Sequence, residues 1–204
     1  MKIICIGRNY SEHAKEMGSE TPKEPMYFLK PDSAILPKKA PFYIPSFTSD
    51  LHFEIELLVK IHKVGKHIEE RFSHSYYDKI GLGIDFTARD IQKECKSKGL
   101  PWEKAKGFDG SAVIGSKFID KSEFDSVQGI SFSLNKNGEQ VQVGNSKDMI
   151  FNIDKIISYV SQFMTLKIGD IIYTGTPSGV GPVKIGDKLE GFLEGEKLID
   201  LNIK

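Results

Sequence analysis

Glu54 and Glu56 stand two residues apart in the stretch DLHFEIELLV from Asp50 to Val59. Side chains alternate along a strand with period two, so both carboxylates share a face with His52, while Phe53, Ile55 and Leu57 point the other way. Like charges that close raise each other's pKa and cost stability unless a cation lies between them. A solvated outer strand face would account for these two glutamates alone. A second stretch, IGLGIDFTARD from Ile80 to Asp90, argues for more. Asp85 closes an apolar, glycine-containing run that reads as a buried strand, and a carboxylate there is costly without a partner. Three carboxylates with no cysteine or histidine cluster describe a site for a hard cation, Mg²⁺ or Mn²⁺ rather than zinc. They leave about three of six octahedral positions for water or substrate, which is a catalytic arrangement rather than a closed structural one.

His13 and Glu16 lie one turn apart on a short helical stretch. A histidine oriented by a carboxylate is a base suited to activating water. The same two residues also describe an ordinary wet helix face. Arg89 and Gln92 repeat this one-turn spacing just after Asp85, where Arg89 can equally be a plain ion-pair residue.

These residues need a scaffold to bring them together. Lys2 to Ile6 reads as a buried first strand. Asn9 can cap the following helix, with Glu12 three residues on and Gly18 to end it. Gly18 to Pro31 is polar and proline-containing and reads as a mobile loop ahead of a strand at Met26 to Leu29, and it could close over the site. The Asp50 strand runs to about His62. Thr87 looks like a helix N-cap with Asp90 in capping-box position, and Gly99-Leu100-Pro101 stops that helix near Lys98. Lys104 to Gly110 reads as a loop. Strands at Ile130–Leu134 and Glu139–Val143 flank Asn137-Gly138, a hairpin signal. Asn152 caps a helix with Ile153, Ile156, Ile157, Val160 and Met164 on one stripe, core or interface. Many strands with few helices give an α+β fold, and 204 residues without a repeat or linker give one domain, 1–204.

Lysine plus arginine and aspartate plus glutamate both number 28, so the formal net charge is zero. That argues against a nucleic-acid or anionic-membrane partner. Cys5 and Cys95 are too few for a disulfide scaffold and neither sits in a metal-ligand pair. The apolar run Ile3 to Ile6 is too short for a signal peptide, no run approaches a membrane span, and a cytoplasmic enzyme is expected.

HFEIEL, IDFTARDIQ, KGLPW with AKGFD, and YTGTPSGVGP, in that order, resemble the motifs of the fumarylacetoacetate hydrolase family, and IGRNYSEHAKEMG is similar to its short branch of acylpyruvate hydrolases and oxaloacetate decarboxylases. The resemblance runs from about Ile3 to the end of the chain. It implies that family's mixed β-roll and a homodimer. It implies that Glu54, Glu56 and Asp85 hold Mg²⁺ or Mn²⁺, that His13 and Glu16 form the catalytic pair, and that Lys106 stabilises charge on the acyl oxygen, with Lys104 a competitor for that place. Arg89, Gln92 and Thr176 would contact the substrate; taken alone, the glycine-rich turn around Thr176 is simple tight-turn chemistry. The family's longer branch has a further aspartate ligand just before the histidine, where this chain has Ile6; Ile84 replaces a frequent asparagine, and GFDGSAVIG departs from the common form.

A cation so held polarises the keto group of a 2-oxo acid. Hydrolysis of an acylpyruvate and decarboxylation of oxaloacetate both leave pyruvate enolate, so either reaction on a small 2-oxo or 2,4-dioxo carboxylic acid is expected. The rivals are an isomerase or hydratase of the 2-hydroxyhepta-2,4-diene-1,7-dioate type, and a non-catalytic metal-binding member.

Overall fold

Residues 1–16 and 22–204 are described in the computed structural model. The first half carries β1 (Ile3–Gly7), α1 (Ser11–Glu16), β2 (Met26–Lys30), β3 (Leu51–Phe53), β4 (Ile55–Ile61), α2 (Glu70–Ser73), β5 (Tyr77–Asp85), β6 (Thr87–Ala88) and α3 (Arg89–Lys98). After these come α4 (Glu103–Lys106), β7 (Ala112–Ile114), β8 (Ile119–Asp120), β9 (Ser131–Lys136), β10 (Glu139–Asn145), α5 (Ile153–Phe163), β11 (Ile171–Tyr173), β12 (Gly181–Pro182), β13 (Lys188–Leu193) and β14 (Glu196–Asn202).

The largest sheet runs β2-β1-β11-β4-β5-β7, with β8 also paired to β5. β1 and β11 are parallel, and β4 is antiparallel to both β11 and β5. This alternation collects the C-terminal ends of β1, β11 and β5 and the N-terminal end of β4 along one sheet end. Gly7, Tyr173, Asp85 and Ile55 therefore mark a common rim, and the loops leaving it carry the chemistry. The sheet curls: beyond β2, Leu36 donates its N–H to Ala112 of β7, joining the two outer strands at 2.9 Å. A four-stranded sheet, β10-β9-β13-β14, and a three-stranded one, β12-β3-β6, complete an α+β roll.

Ile55, Leu57, Leu58, Val59 and Ile61 of β4 are all fully buried, as are Ile80, Leu82 and Ile84 of β5. With both faces covered, these strands read as continuous apolar runs, and each such side chain contributes about 1.5–3 kcal/mol. The hairpin turns at Asn137-Gly138, both with positive φ (54° and 86°), as its sequence demands. Asn152 caps α5 by accepting the Lys155 N–H at 2.8 Å, and Ile153, Ile156, Ile157 and Val160 are buried. Gly99 ends α3 in the left-handed region at φ 63°.

Four expectations change. The Asp50 strand is two strands, β3 and β4, interrupted at Glu54. Thr87 lies in β6 and caps nothing: α3 begins at Arg89 with Ala88 at its N-cap, and the Thr87 hydroxyl serves the site instead. Asn9 does not cap α1 through its side chain. It donates to Phe151 O and Thr174 O and accepts from the Phe151 N–H, tying the end of β1 to the segment before α5 and to the chain after β11. Lys104 to Gly110 contains α4 rather than loop alone. The Gly18 helix stop and part of the loop expected before Met26 lie outside the described residues. No helix among the described residues is long and apolar enough to cross a membrane.

Candidate metal centre and active site

Glu54 sits in the break between β3 and β4, Glu56 at the second position of β4, and Asp85 at the end of β5. The Asp85 N–H donates to Glu54 O at 2.9 Å, which fixes the two chain segments side by side. The three carboxylates offer ligand oxygens that all lie within 4.8 Å of one another, and all three residues are buried. Among the described residues this is the one such cluster.

Three buried carboxylates demand compensation. Lys106 donates to Glu54 Oε2 (3.0 Å), Asp85 Oδ2 (2.7 Å) and Thr87 Oγ1 (2.6 Å), which engages all three of its N–H groups. Arg89 donates to Glu54 Oε1 through Nη2, and the Thr87 hydroxyl donates to the same oxygen at 2.9 Å. Lys30 Nζ lies 2.7 Å from Asp85 Oδ1. Its geometry is not that of a hydrogen bond, so this carboxylate oxygen has a charge beside it and no donor. Glu56 is treated differently: its Oε2 accepts one N–H, from Gly175 at 2.6 Å, and among the described residues no cation pairs with it.

The titration behaviour follows from these contacts. Burial pushes the Glu54 carboxyl up, but Lys106 and Arg89 outweigh it and hold Glu54 well below the usual carboxylate range. Burial, and then the charges of Asp85 and Glu54, hold Glu56 well above that range. Burial lowers the Lys106 ammonium, yet Asp85 and Glu54 together raise it. The donor set fits a hard divalent cation: oxygen ligands only, one buried carboxylate oxygen without a donor, and one carboxylate whose ionised form is disfavoured by burial and by its neighbours' charge. A 2+ ion at this point would relieve both.

His13 of α1 is 7% exposed and lines the same cleft as the three carboxylates. Its Nδ1 is 3.1 Å from Glu16 Oε2. A carboxylate on Nδ1 selects the tautomer with the proton there and leaves Nε2 as the basic nitrogen. Glu16 is itself held by the Gly179 N–H, at 3.2 and 3.3 Å from its two oxygens. Gly179 has φ 93°, and a Cβ there would lie 2.3 Å from Val141 O, so this anchor in the glycine-rich turn requires glycine.

Arg89, Gln92, Lys106 and Thr176 line the cleft as well. Arg89 combines both readings of its sequence position: it pairs with Glu54 and also donates to Gln92 Oε1 at 2.6 Å. Thr176 Oγ1 accepts from Gln142 Nε2 at 2.9 Å. Lys104, the competitor for the Lys106 position, is exposed. Ile6 borders the cleft where the longer branch carries its extra aspartate.

Three contributors escaped the sequence reading. Lys30 precedes a proline and reads as a surface lysine, yet it is buried, donates to Ser111 Oγ at 3.0 Å and also bonds Lys106 O. Gln142 is buried and accepts the Ile55 N–H at 3.0 Å while donating to Thr176 and to Pro177 O, so it positions both β4 and the glycine-rich turn. Thr87 was assigned to a cap. The run IDFTARD was the available signal for Thr87; Lys30 and Gln142 carried none.

Residues 2–203 match the family described as fumarylacetoacetate (FAA) hydrolase C-terminal. Over 193 residues the chain is 46% identical to the mitochondrial oxaloacetate tautomerase FAHD1 of Bos taurus, covering 95% of this chain and 87% of that one. It is 43% identical over 198 residues to the oxaloacetate tautomerase YcgM of Escherichia coli, covering 97% and 90%. Among solved structures, fumarylpyruvate hydrolase from Pseudomonas aeruginosa in complex with Mn²⁺ and pyruvate superposes with a TM-score of 0.93 at 34% identity, covering all of this chain and 89% of that one. The chain belongs to the fumarylacetoacetate hydrolase family.

Proposed function

Starting from that membership, we propose that residues 1–204 form one catalytic domain that uses Mg²⁺ or Mn²⁺ to act on small 2-oxo and 2,4-dioxo dicarboxylic acids, with oxaloacetate tautomerisation as its first reaction. The observation that carries this reading is that Glu54, Glu56 and Asp85 share one cleft with His13, whose Nδ1 is paired with Glu16. Glu54, Glu56 and Asp85 would hold the divalent cation, which when bound would supply Lewis-acid polarisation to a keto oxygen and so make the neighbouring C–H more acidic. His13 Nε2 takes that proton, and the Glu16 carboxylate stabilises the imidazolium that results. Tautomerisation needs the proton returned to the other end of the enol system, so one base on a fixed helix suffices. Lys106 is the cation for charge developing on oxygen, and Arg89, Gln92 and Thr176 orient the acid.

A second reading, hydrolysis of an acylpyruvate, is favoured by the same anchored pair, which could equally activate water, and by the likeness to a fumarylpyruvate hydrolase. One panel decides between them: enol-to-keto conversion and decarboxylation of oxaloacetate, hydrolysis of acetylpyruvate, and isomerisation of a 2-hydroxyhepta-2,4-diene-1,7-dioate. Tautomerisation is expected to have the highest kcat/KM, by about tenfold or more, and to cease on addition of EDTA; a tenfold difference corresponds to about 1.4 kcal/mol in the barrier. Activity that survives complete metal removal, or none on any of the four, overturns the proposal.

A homodimer belongs to the same reading. Val143 on β10 and Phe163 on α5 are large apolar side chains left more than half exposed, on the hairpin and helix surfaces suited to an isologous contact. Light scattering at micromolar concentration should give twice the chain mass, and a monomer would contradict it.

A further inference from the structure

Two cations in the cleft pair with no carboxylate among the described residues. Arg8 follows β1 in the left-handed region, at φ 57°, a conformation that is strained for a non-glycine residue. Lys96 projects from the third turn of α3. Both line the cleft with the three carboxylates and His13. Lys30, Lys106 and Arg89 each pair with Glu54 or Asp85. Among the described residues no carboxylate lies within ion-pairing distance of Arg8 or Lys96. Lys96 instead stands 5.4 Å from the centre of the Trp102 ring, and Trp102 packs on Phe28 at 6.0 Å.

Burial lowers the Lys96 ammonium, and the next contributions are the like charges of Arg8 and Arg89. Arg8 and Lys96 thus repel in a half-buried cleft, where Glu54 offsets the repulsion only in part and no carboxylate among the described residues pairs with either. Like charges disfavour each other's charged form, and an anion bound between them would relieve that. From Lys96 the wall runs over Trp102 to Phe28, whose ring lies 5.1 Å from Lys106 Nζ beside the carboxylates, and Met26 lines the cleft as well. Its layout is then polar at both ends and apolar in the middle, and it suits a short carbon chain with a charge at each end.

We propose that Arg8 and Lys96 form a subsite for the second carboxylate of the substrate, the one remote from the 2-oxo acid group, and so select dicarboxylic over monocarboxylic acids. This rests on the reading of the cleft as a 2-oxo acid site. Arg8 supplies a planar fork that matches a carboxylate in bidentate fashion, and Lys96 supplies a point charge steadied by Trp102. The subsite acts on binding in the ground state and the transition state alike, so its loss raises KM more than it lowers kcat.

The test separates the subsite from the reaction. Equilibrium binding to the full chain with Mg²⁺ compares 2-oxoglutarate with 2-oxovalerate, which have equal carbon number and differ in the terminal group. The unaltered protein should prefer 2-oxoglutarate by about tenfold or more, as a charge-assisted pair implies. Arg8→Gln and Lys96→Gln should each cut that preference several-fold and together bring it near unity, while Arg8→Lys and Lys96→Arg restore part of it. In kinetics, KM for a 2,4-dioxo acid with a carboxylate tail should rise more than KM for acetylpyruvate. Should Arg8→Gln fail to fold, the Lys96 variants decide alone. An unchanged preference in the double variant, or no preference in the unaltered protein, overturns the subsite even if the enzyme is active. Loss of preference in the variants of a protein that turns over none of the panel substrates would support the subsite and overturn the proposed reaction.

Discussion

Glu56→Gln should lower turnover by about 10³-fold or more while the metal-free protein melts at the same temperature or higher. Lewis-acid polarisation is worth several kcal/mol, each 1.36 kcal/mol being tenfold in rate, so a lost ligand that empties the site costs on that order. The stability effect has the opposite sign because burial and the like charges of Asp85 and Glu54 outweigh what Lys106 and the Gly175 N–H give back to Glu56. Its folded pKa is raised. Below the ordinary glutamate pKa of about 4.3 both folded and unfolded forms carry the proton, and the group costs nothing. As pH rises above that point the unfolded chain releases its proton first, and stability falls by about 1.4 kcal/mol per pH unit until the folded pKa is passed. Glutamine cannot ionise, so the variant's advantage should open above that point and widen with pH. Glu54 works in reverse. Lys106 and Arg89 hold its folded pKa low, so it contributes stability above the unfolded value that is lost as pH falls towards the folded one. Glu54→Gln should therefore melt lower at pH 7, and it leaves Arg89 and Lys106 with one partner fewer. Melting curves in EDTA between pH 5 and 8 check both variants. A lower midpoint for Glu56→Gln throughout would show that its carboxylate is stabilised by something other than the contacts seen. Added Mg²⁺ should raise the midpoint of the unaltered protein and leave the Glu56→Gln midpoint nearly fixed.

The elements that could be read from the chain are those whose pattern is local. β5, the Asn137-Gly138 hairpin, the Gly99 stop and α5 each carry their own period, turn or cap. The carboxylates were legible too, but only in part for the stated reason. Alternation predicts Glu54 and Glu56 on one face of a half-exposed strand, whereas both faces of β4 are buried and Glu54 sits in a break. What placed them together is the register of β4 on β5, with Ile55 opposite Ile84 and Glu56 opposite Gly83. Long-range polar ties left no local trace. Thr87 and Asn9 satisfy every rule for caps, yet their side chains bond to Glu54 and to Phe151, which the chain meets only once folded. Lys30 is buried because the sheet curls until β2 lies near Ser111. Gln142 points inward because a bulge between Gln140 and Gln142 shifts the register and leaves Val143 59% exposed, which a strict period of two would not allow.

The identity of the base follows from a comparison across reactions. His13→Ala is expected to lower both tautomerisation of oxaloacetate and hydrolysis of acetylpyruvate by about 10²–10⁴-fold, the usual range for a positioned general base. Each reaction needs a proton moved in the transition state, from carbon in one and from water in the other. Decarboxylation of oxaloacetate needs no base, since the carboxylate leaves as CO₂ and the polarised keto group accepts the electrons; it should suffer much less. Mg²⁺ affinity should stay the same, because His13 is not one of the three carboxylate ligands. Glu16→Ala should give a smaller loss in the same two reactions: it removes the partner of Nδ1, 3.1 Å away, but leaves the imidazole on its helix. It also frees the Gly179 N–H, so Glu16→Gln, which can keep that bond, separates the two effects. Equal losses in all three reactions would take proton transfer away from His13 and make α1 a wall of the binding cleft. No loss in any would return His13 and Glu16 to an ordinary helix face, which the 7% exposure of His13 argues against. Loss in hydrolysis with tautomerisation intact would assign His13 to water alone, and some other group in the cleft would then have to move the carbon-bound proton. Lys106 is the first to test, since a neutral amine there could accept it, but Asp85 and Glu54 raise its pKa and favour the ammonium. That leaves His13 as the base on which the tautomerase reading depends.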